Sequence, residues 1–209
     1  MFYDILDKKR LEILPLLKVF KEEFYLARGT ALALQIGHRD SVDFDFFTKI
    51  DIDTNNLFLK IKEVFSDFKI VKIQEDKNTL TVLIDKDIKL SFFSYKYNLL
   101  RTGVDEDNLY LASIEDIACM KLSAILSRGT NKDYIDLYYI FKNYDFKEIL
   151  LLCQKKFKDI DINLILKSLV YFDDIEHEPI NFKHDEISFE QVKKFLEELI
   201  KDNNKLLFS

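Results

Sequence analysis

Two aspartates separated by one residue, Asp43 and Asp45, are the side chains of this sequence best suited to chemistry. The segment from Val42 to Phe46 alternates apolar and acidic residues, which predicts a β-strand. Residues two apart on a strand point to the same face, about 6.6 Å apart. We therefore expect Val42, Phe44 and Phe46 to face the core and the two carboxylates to face one pocket. Paired carboxylates offer the hard oxygen ligands that suit Mg²⁺.

A glycine turn, Arg28-Gly29-Thr30, precedes this strand. The turn separates a short apolar segment, predicted to be a strand, from a run of small apolar residues that favours a helix. Backbone N–H groups at the start of a helix can bind a phosphate. The sequence therefore predicts a phosphate-binding turn at Gly29 and Thr30, followed by a metal-binding strand.

A second group of polar residues lies near the junction of two predicted helices, residues 113–127 and 131–143. The group consists of Lys121, Arg128, Lys132, Asp133 and Asp136. Asp133 and Asp136 are three residues apart, so they share one face of the second helix. These carboxylates can pair with neighbouring cations or contact a ligand.

The residue types leave alternatives open for the cations of both groups. Lys121 can be a surface lysine with a buried stem or a phosphate ligand. Arg128 can stabilise the end of its helix or contact a phosphate, and Lys132 can form a local ion pair. His38-Arg39 follows Gly37, where the predicted helix after the turn ends, and can have a capping role there.

Together the two blocks resemble the nucleotidyltransferase superfamily and, more narrowly, its AbiEii/AbiGii toxin family. Members carry a Gly-Gly-Thr turn, a Ser-x-Asp-x-Asp strand, a helix with a lysine, and then Lys-Asp-x-x-Asp-Leu. The resemblance covers most of residues 24–142. Here Arg28 replaces the first glycine of the turn, where it can hinder close backbone approach or supply a positive charge to a triphosphate.

The resemblance implies a role for each of these residues. Asp43 and Asp45 would coordinate Mg²⁺ and act in catalysis, together with Lys121 as a cation that contacts the triphosphate of an NTP substrate. Asp133 and Asp136 would contact the nucleotide or acceptor, or orient Lys121 and Arg128. The full set of implied nucleotide-binding residues is Gly29, Thr30, Arg39, Arg128, Lys132, Asp133 and Asp136.

One expected feature of that superfamily is missing. A third carboxylate on a later strand usually completes the metal site and helps to deprotonate the attacking hydroxyl. The corresponding segment is Ile88 to Phe93, and the residue in the aligned position is Ser91. A single metal ion, a different base and a lost activity are the three alternatives that this replacement leaves.

The implied activity is transfer of a nucleoside monophosphate from an NTP to an acceptor, most naturally RNA such as a tRNA 3′ end. The resemblance also implies a toxin–antitoxin setting, with abortive infection as phage defence and a cognate antitoxin protein as partner. The alternative is a catalytically decayed nucleotide-binding or protein-interaction module of the same fold.

Composition narrows these expectations. The chain has 209 residues, 48% of them hydrophobic, and a net charge of −6, which disfavours a large nucleic-acid groove but permits a local basic patch. Cys119 and Cys153 are far apart in sequence, so we expect two buried free thiols in a reducing cytoplasm. Neither a signal peptide nor a membrane span is predicted.

We expect an α+β fold, a nucleotidyltransferase-like mixed sheet flanked by helices and followed by a helical C-terminal half. The predicted domains are an α/β core over residues 1–110 and a helical region over residues 111–209 that completes the nucleotide cleft. The further predicted helices are 6–23, kinked or split at Pro15, then 54–65, 145–157, 161–171 and 188–205. The further predicted strands are 68–73, 79–84 and 88–93.

Overall fold

A computed structural model describes residues 1–184 and 186–207, and the side chains of Arg128 and of residues 204–207 lie outside the described part. The chain divides into two compact units, Met1–Ser113 and Ile114–Ser209. The α-helices are α1 Lys8–Ile13, α2 Arg28–Ile36, α3 Thr54–Val64, α4 Ile114–Arg128, α5 Asn131–Phe141, α6 Phe146–Lys156, α7 Ile162–Ser168 and α8 Phe189–Leu207. The strands are β1 Tyr25–Ala27, β2 Phe44–Thr48, β3 Ile70–Asp76, β4 Thr79–Ile84, β5 Ile88–Ser94, β6 Val104–Asp105 and β7 Tyr110–Leu111.

The amino-terminal unit is built on a mixed seven-stranded sheet with the order β3-β4-β5-β2-β1-β7-β6. β2 pairs in parallel with β5 and antiparallel with β1, while β3, β4 and β5 form an antiparallel meander. The turn between β4 and β5 holds Asp85 and Lys86 at positive φ, the conformation of a tight hairpin.

Aromatic side chains fill the core on one face of the central strands. Phe46 on β2 stacks on Phe92 of β5 with ring centroids 5.0 Å apart, and Phe20 meets Phe92 edge-on at 5.1 Å. All three rings are essentially buried. Since side chains alternate along a strand, this packing directs the neighbouring odd-numbered residues of both strands to the opposite face.

Two local predictions had different outcomes. The helix expected over residues 6–23 is split at Pro15, as expected, but its second half, Leu14–Phe20, is a 3₁₀-helix with Pro15 in its first turn. Proline has no N–H to donate, so the α-helical ladder is interrupted there. Val42 was expected in the core but is 46% exposed, since β2 begins only at Phe44.

In the carboxy-terminal unit, α4 is the central helix and packs on α5, α6 and α7, while α5 packs on α8. Between α4 and α6, the side chains of Asp116 and Lys156 are fully buried, with 2.6 Å between Asp116 Oδ1 and Lys156 Nζ. Cys119 and Cys153 are free and buried, as predicted, and their side chains are hydrogen-bonded to each other. That hydrogen bond and burial raise the pKa of the Cys119 thiol, which makes it a poor nucleophile.

The predicted α+β class, a mixed sheet with flanking helices followed by a helical C-terminal half, is confirmed. The reciprocal capping box that Ser188 and Gln191 were expected to form at the start of α8 is also present. Among the described residues, none of the helices combines the length and apolar character of a membrane span.

The buried pair of Asp116 and Lys156 yields a stability prediction. Lys156→Met leaves an uncompensated carboxylate in the core, so we expect the free energy of unfolding to fall by about 3–5 kcal/mol in urea titrations. Asp116→Asn combined with Lys156→Met removes both charges and should recover most of that loss. Lys193→Met, which breaks an i,i+3 surface pair with Glu190, should change stability by less than about 0.5 kcal/mol. Equal losses in the single and double variants would contradict the expectation.

Candidate functional site

The candidate site lies at the end of two interior strands, where β1 ends and β2 begins. Because these strands are antiparallel, with Ala27 opposite Asp45, the start of α2 at Arg28 lies beside the aspartates. Asp45 points away from the phenylalanine core because its neighbours Phe44 and Phe46 point into it. The side chain of Asp45 is 18% exposed and that of Asp43 is 42% exposed, so both carboxylates can reach a ligand.

Thr30 connects α2 to the segment that leads into β2. Its hydroxyl donates to the backbone carbonyl of Asp43 and lies 2.7 Å from the Ser41 hydroxyl. Since Thr30 has only one hydroxyl proton, Ser41 is the donor in the second bond. Thr30 is 2% exposed, so its side chain fixes the backbone of Asp43.

Gly29 allows the guanidinium of Arg39 to lie against the first turn of α2. A Cβ atom at position 29 would be 2.9 Å from Arg39 Nη2, which is tighter than an ordinary contact. Arg39 is buried and its Nη1 donates to the Asp40 carbonyl at 2.9 Å. A fixed cation beside the N–H groups of a helix start adds to the positive potential there and favours an anion.

Arg28 has a left-handed backbone, with φ of 63°. This conformation costs a residue with a Cβ atom about 1–2 kcal/mol, and glycine adopts it freely. The guanidinium lies over the rings of Phe47 and Phe93, at 5.2 and 5.0 Å from their centroids, and 3.7 Å from an oxygen of Asp45. The side chain is thus held over the carboxylate face of the sheet by two aromatic rings and one acid.

Across the parallel pair, Ser91 of β5 is opposite Asp45, in the position where a third carboxylate was expected. Ser91 donates a hydrogen bond to Asp45, and Lys89 Nζ lies 2.6 Å from Asp43 Oδ2. Burial raises the pKa of the Asp45 carboxyl, an effect that Arg28, Lys89 and the Ser91 hydrogen bond oppose. Asp43 thus pairs with Lys89, and Asp45 pairs with Arg28.

The donor set fits one Mg²⁺. Mg²⁺ is commonly held by one or two carboxylates, with waters and substrate phosphates completing the octahedron. Asp45 on β2 and Asp43 just before it provide two neighbouring carboxylates, and the described residues contain no cluster of three or more acidic, histidine or cysteine ligands. A cage made of protein ligands alone is therefore not present in the described part.

In the carboxy-terminal unit, Lys121 is bound by two carboxylates. Its ammonium lies 2.7 Å from Asp133 Oδ1 and 2.6 Å from Asp136 Oδ2. The other oxygen of Asp133 accepts from the backbone N–H of Thr130 at 3.0 Å, as a cap of α5. Lys121 is 7% exposed, and Asp136 is fully buried. The arrangement joins α4 to α5 and fixes the direction of the lysine.

The remaining predicted residues of this unit differ in surroundings. Lys132 pairs with Glu178 at 2.7 Å, while the Asn131 side chain exchanges hydrogen bonds with the backbone of Glu178. These contacts tie the start of α5 to the loop before α8. Arg128 is the last residue of α4, and its side chain lies outside the described residues.

Sequence reasoning missed Lys89 and Ser41. Lys89 was visible in principle, since it precedes Ser91 by two residues and must share its face if the strand is regular. Its pairing with Asp43 required knowledge that β5 lies parallel to β2 and in which register. Ser41 is the first residue of the Ser-x-Asp-x-Asp motif, but its contact with Thr30 was not predicted, because Thr30 comes from another element.

Comparison with known proteins points to one family. A family model described as nucleotidyl transferase AbiEii toxin, type IV toxin–antitoxin system, matches residues 16–205. An uncharacterized protein of Aquifex aeolicus is 39% identical over 186 residues, which cover 86% of this chain and 87% of that protein.

Solved structures share the fold. A candidate nucleotidyltransferase from H. pylori aligns with a TM-score of 0.58 at 19% identity, over 96% of this chain and 98% of its own. MenT4, a nucleotidyltransferase toxin of Mycobacterium tuberculosis, aligns with a TM-score of 0.59 at 13% identity, over 92% of this chain and 82% of its own. At these identities the likeness concerns the fold alone.

Because burial raises the pKa of Asp45, we predict that removing its charge stabilises the folded protein and that this stabilisation depends on pH. Below the ordinary aspartate pKa of 3.8, Asp45 is protonated in both the folded and the unfolded chain, so it favours neither state. As the pH rises from 3.8 to the higher folded pKa, the carboxyl ionises in the unfolded chain before it does in the folded one, so the folded state loses stability over this interval and keeps that loss above it. Asp45→Asn should therefore raise the melting temperature at pH 7 and lose this advantage near pH 3, as scanning calorimetry can measure.

Asp51→Asn is the control of opposite sign. A hydrogen bond from Lys96 lowers the pKa of the Asp51 carboxyl, so neutralising this residue should slightly lower the melting temperature at pH 7. A lower melting temperature for Asp45→Asn at pH 7 would show that the contacts with Arg28 and Lys89 outweigh the effect of burial.

Two substitutions distinguish the effect of the Arg28 backbone conformation on stability from the effect of its side chain. Arg28→Ala keeps the left-handed strain and removes the guanidinium, whereas Arg28→Gly removes both. We expect the glycine variant to be more stable than the alanine variant by about 1 kcal/mol in urea unfolding. Equal stabilities would mean that the turn relaxes when the guanidinium is lost.

Proposed function

The chain belongs to the AbiEii family of nucleotidyl transferase toxins, and on that premise we propose that it transfers a nucleoside monophosphate from an NTP to RNA. The observation that carries the proposal is the nearness of two carboxylates, Asp45 on β2 and Asp43 just before it, beside the start of α2. Carboxylates for a divalent cation and N–H groups for phosphate are what an NTP with bound Mg²⁺ requires.

Asp43 and Asp45 would hold Mg²⁺, which supplies positive charge against the triphosphate oxygens. Gly29 would present the N–H groups of the first turn of α2 to the phosphates, and Thr30 would keep Asp43 in place. Arg39, fixed against Gly29, adds positive potential at the same turn. These contacts orient the substrate and offset its charge.

In the transfer itself, a hydroxyl oxygen of the acceptor forms a bond to the α-phosphorus. The bond from that phosphorus to the oxygen bridging to the β-phosphate breaks, and pyrophosphate leaves with its electron pair. The acceptor proton passes to solvent water, since Ser91 stands where a carboxylate would take it.

Lys121 is proposed, from the family resemblance, as a cation for the triphosphate, with Asp133 and Asp136 as the residues that orient it. A phosphate oxygen would then replace one carboxylate oxygen at the ammonium, a change that keeps the charge of Lys121 compensated. Arg128 and Lys132 are proposed as further nucleotide contacts, and Lys132 would first have to leave Glu178.

For the acceptor we propose a short exposed RNA end, such as a tRNA 3′ end. A net charge of −6 disfavours contact along a long polyanion, whereas a single-stranded end needs only a few local cations. The family's type IV toxin–antitoxin designation supports an antitoxin as partner. Action in the cytoplasm and a role in phage defence are proposed on the family resemblance alone.

The second candidate is a nucleotide-binding module without transfer. The specific observation that favours it is the neutral Ser91 opposite Asp45, which leaves the described site without a third carboxylate. Such a module would bind an NTP with Mg²⁺ and act through protein contacts.

A labelling assay tests both candidates. Purified protein is incubated with total bacterial RNA, Mg²⁺ and each α-³²P-labelled NTP in turn. We expect a labelled RNA band with the wild type and at least a hundredfold less label with Asp43→Asn/Asp45→Asn, because the phosphates lose their cation. Asp51→Asn, which removes a carboxylate paired with Lys96, should label as wild type does.

The outcomes separate the candidates. NTP binding in calorimetry without label in RNA or protein would favour the module that only binds nucleotides. Label that persists in the double variant would remove the metal-site assignment, and label in protein would replace RNA as the acceptor.

A further inference from the structure

Lys89 lies beside Ser91, the position where a third carboxylate was expected, and next to Asp43. The register of β2 and β5 sets Phe44 opposite Leu90 and Asp45 opposite Ser91. Lys89, two residues before Ser91, is therefore on the face of the two aspartates. Its ammonium lies 2.6 Å from Asp43 Oδ2, and its charge also lowers the pKa of Asp45.

Ser91 and Lys89 together determine the charge of the site on the β5 side. A third carboxylate would make the face more negative and give a second divalent cation a ligand. Ser91 removes that ligand, and Lys89 adds a fixed positive charge next to Asp43. A divalent cation brought beside that ammonium would be repelled at close range; the Lys89 and Asp43 side chains are 37% and 42% exposed, so water reduces this repulsion without removing it.

We propose that Lys89 takes the place of the second divalent cation, so that this chain holds its NTP with one divalent cation and one ammonium. Lys89 is a positioning residue here: it fixes Asp43 and supplies the positive charge on the β5 side of the site. Arg28, held over Phe47 and Phe93, supplies positive charge at Asp45. The inference rests on the proposed function, because it assumes that Asp43 and Asp45 bind a metal.

The test counts bound Mn²⁺ per chain by electron paramagnetic resonance, a readout that does not depend on turnover. Mn²⁺ is titrated into each protein with a saturating mixture of the α,β-methylene analogues of the four NTPs, which cannot be cleaved at the α-phosphate. We expect one Mn²⁺ per chain for the wild type and for Ser91→Asp, since Lys89 remains in place in both.

Removing the ammonium should open the second position. Lys89→Met/Ser91→Asp is expected to bind two Mn²⁺, whereas Lys89→Arg/Ser91→Asp keeps a cation and should bind one. Without nucleotide, Lys89→Met alone should bind Mn²⁺ roughly tenfold more tightly, because Asp43 no longer has a competing cation. Lys96→Met, which frees the remote Asp51, should leave both quantities unchanged.

Two Mn²⁺ in the wild type or in Ser91→Asp would overturn the proposal, as would one in Lys89→Met/Ser91→Asp. If that double variant does not fold, the single-variant affinity decides, and an unchanged value overturns the proposal. Failure of the proposed function looks different: Asp43→Asn/Asp45→Asn would then bind Mn²⁺ as well as the wild type does. In that case neither the metal site nor the role of Lys89 stands.

Discussion

The parallel pairing of β2 with β5 is the interaction on which the amino-terminal unit depends, because its register assigns every side chain of the two central strands to a face. With Phe46 opposite Phe92, the even-numbered residues form the aromatic core. The odd-numbered residues, Asp45 and Ser91 among them, are then on the other face. A register slip of one residue would turn Asp45 into the core and move Phe46 out of its stack on Phe92. Packing of these two rings is therefore what holds the site in register.

Charge compensation follows from that geometry. The carboxylates of Asp43, just before β2, and of Asp45, on β2, lie near each other, and Lys89 and Arg28 compensate their charges. This arrangement makes the carboxylates tolerable to the fold, yet burial still raises the pKa of Asp45. Binding a divalent cation must compete with the two resident cations. We therefore regard metal affinity and stability of the unit as opposed properties of the same side chains.

Arg28 shows how backbone and side chain can be in conflict at one residue. Its position at the start of α2 needs a left-handed backbone, which suits glycine. The guanidinium offsets that strain by contacts with Phe47, Phe93 and Asp45. Strain of this kind concentrates at sites of function, where surrounding packing maintains it.

Buried ion pairs organise the helical unit in a comparable way. Lys121 between Asp133 and Asp136, and Lys156 beside Asp116, join α4 to its neighbours. Such pairs contribute little net stability, but they penalise any packing that separates the partners. The direction of the Lys121 ammonium is a consequence of this constraint.

The amino-acid sequence was sufficient to predict the local features: alternation that makes β2 a strand, the glycine turn before it, the capped helices, and the family to which these motifs belong. Each depends on residues close together in the chain. The folded structure was needed to establish that Lys89 pairs with Asp43, that Ser91 is opposite Asp45, and that the free thiols of Cys119 and Cys153 are hydrogen-bonded. These contacts join separate strands or helices, and their partners follow from sheet register and helix packing, which are set by the burial of many side chains at once.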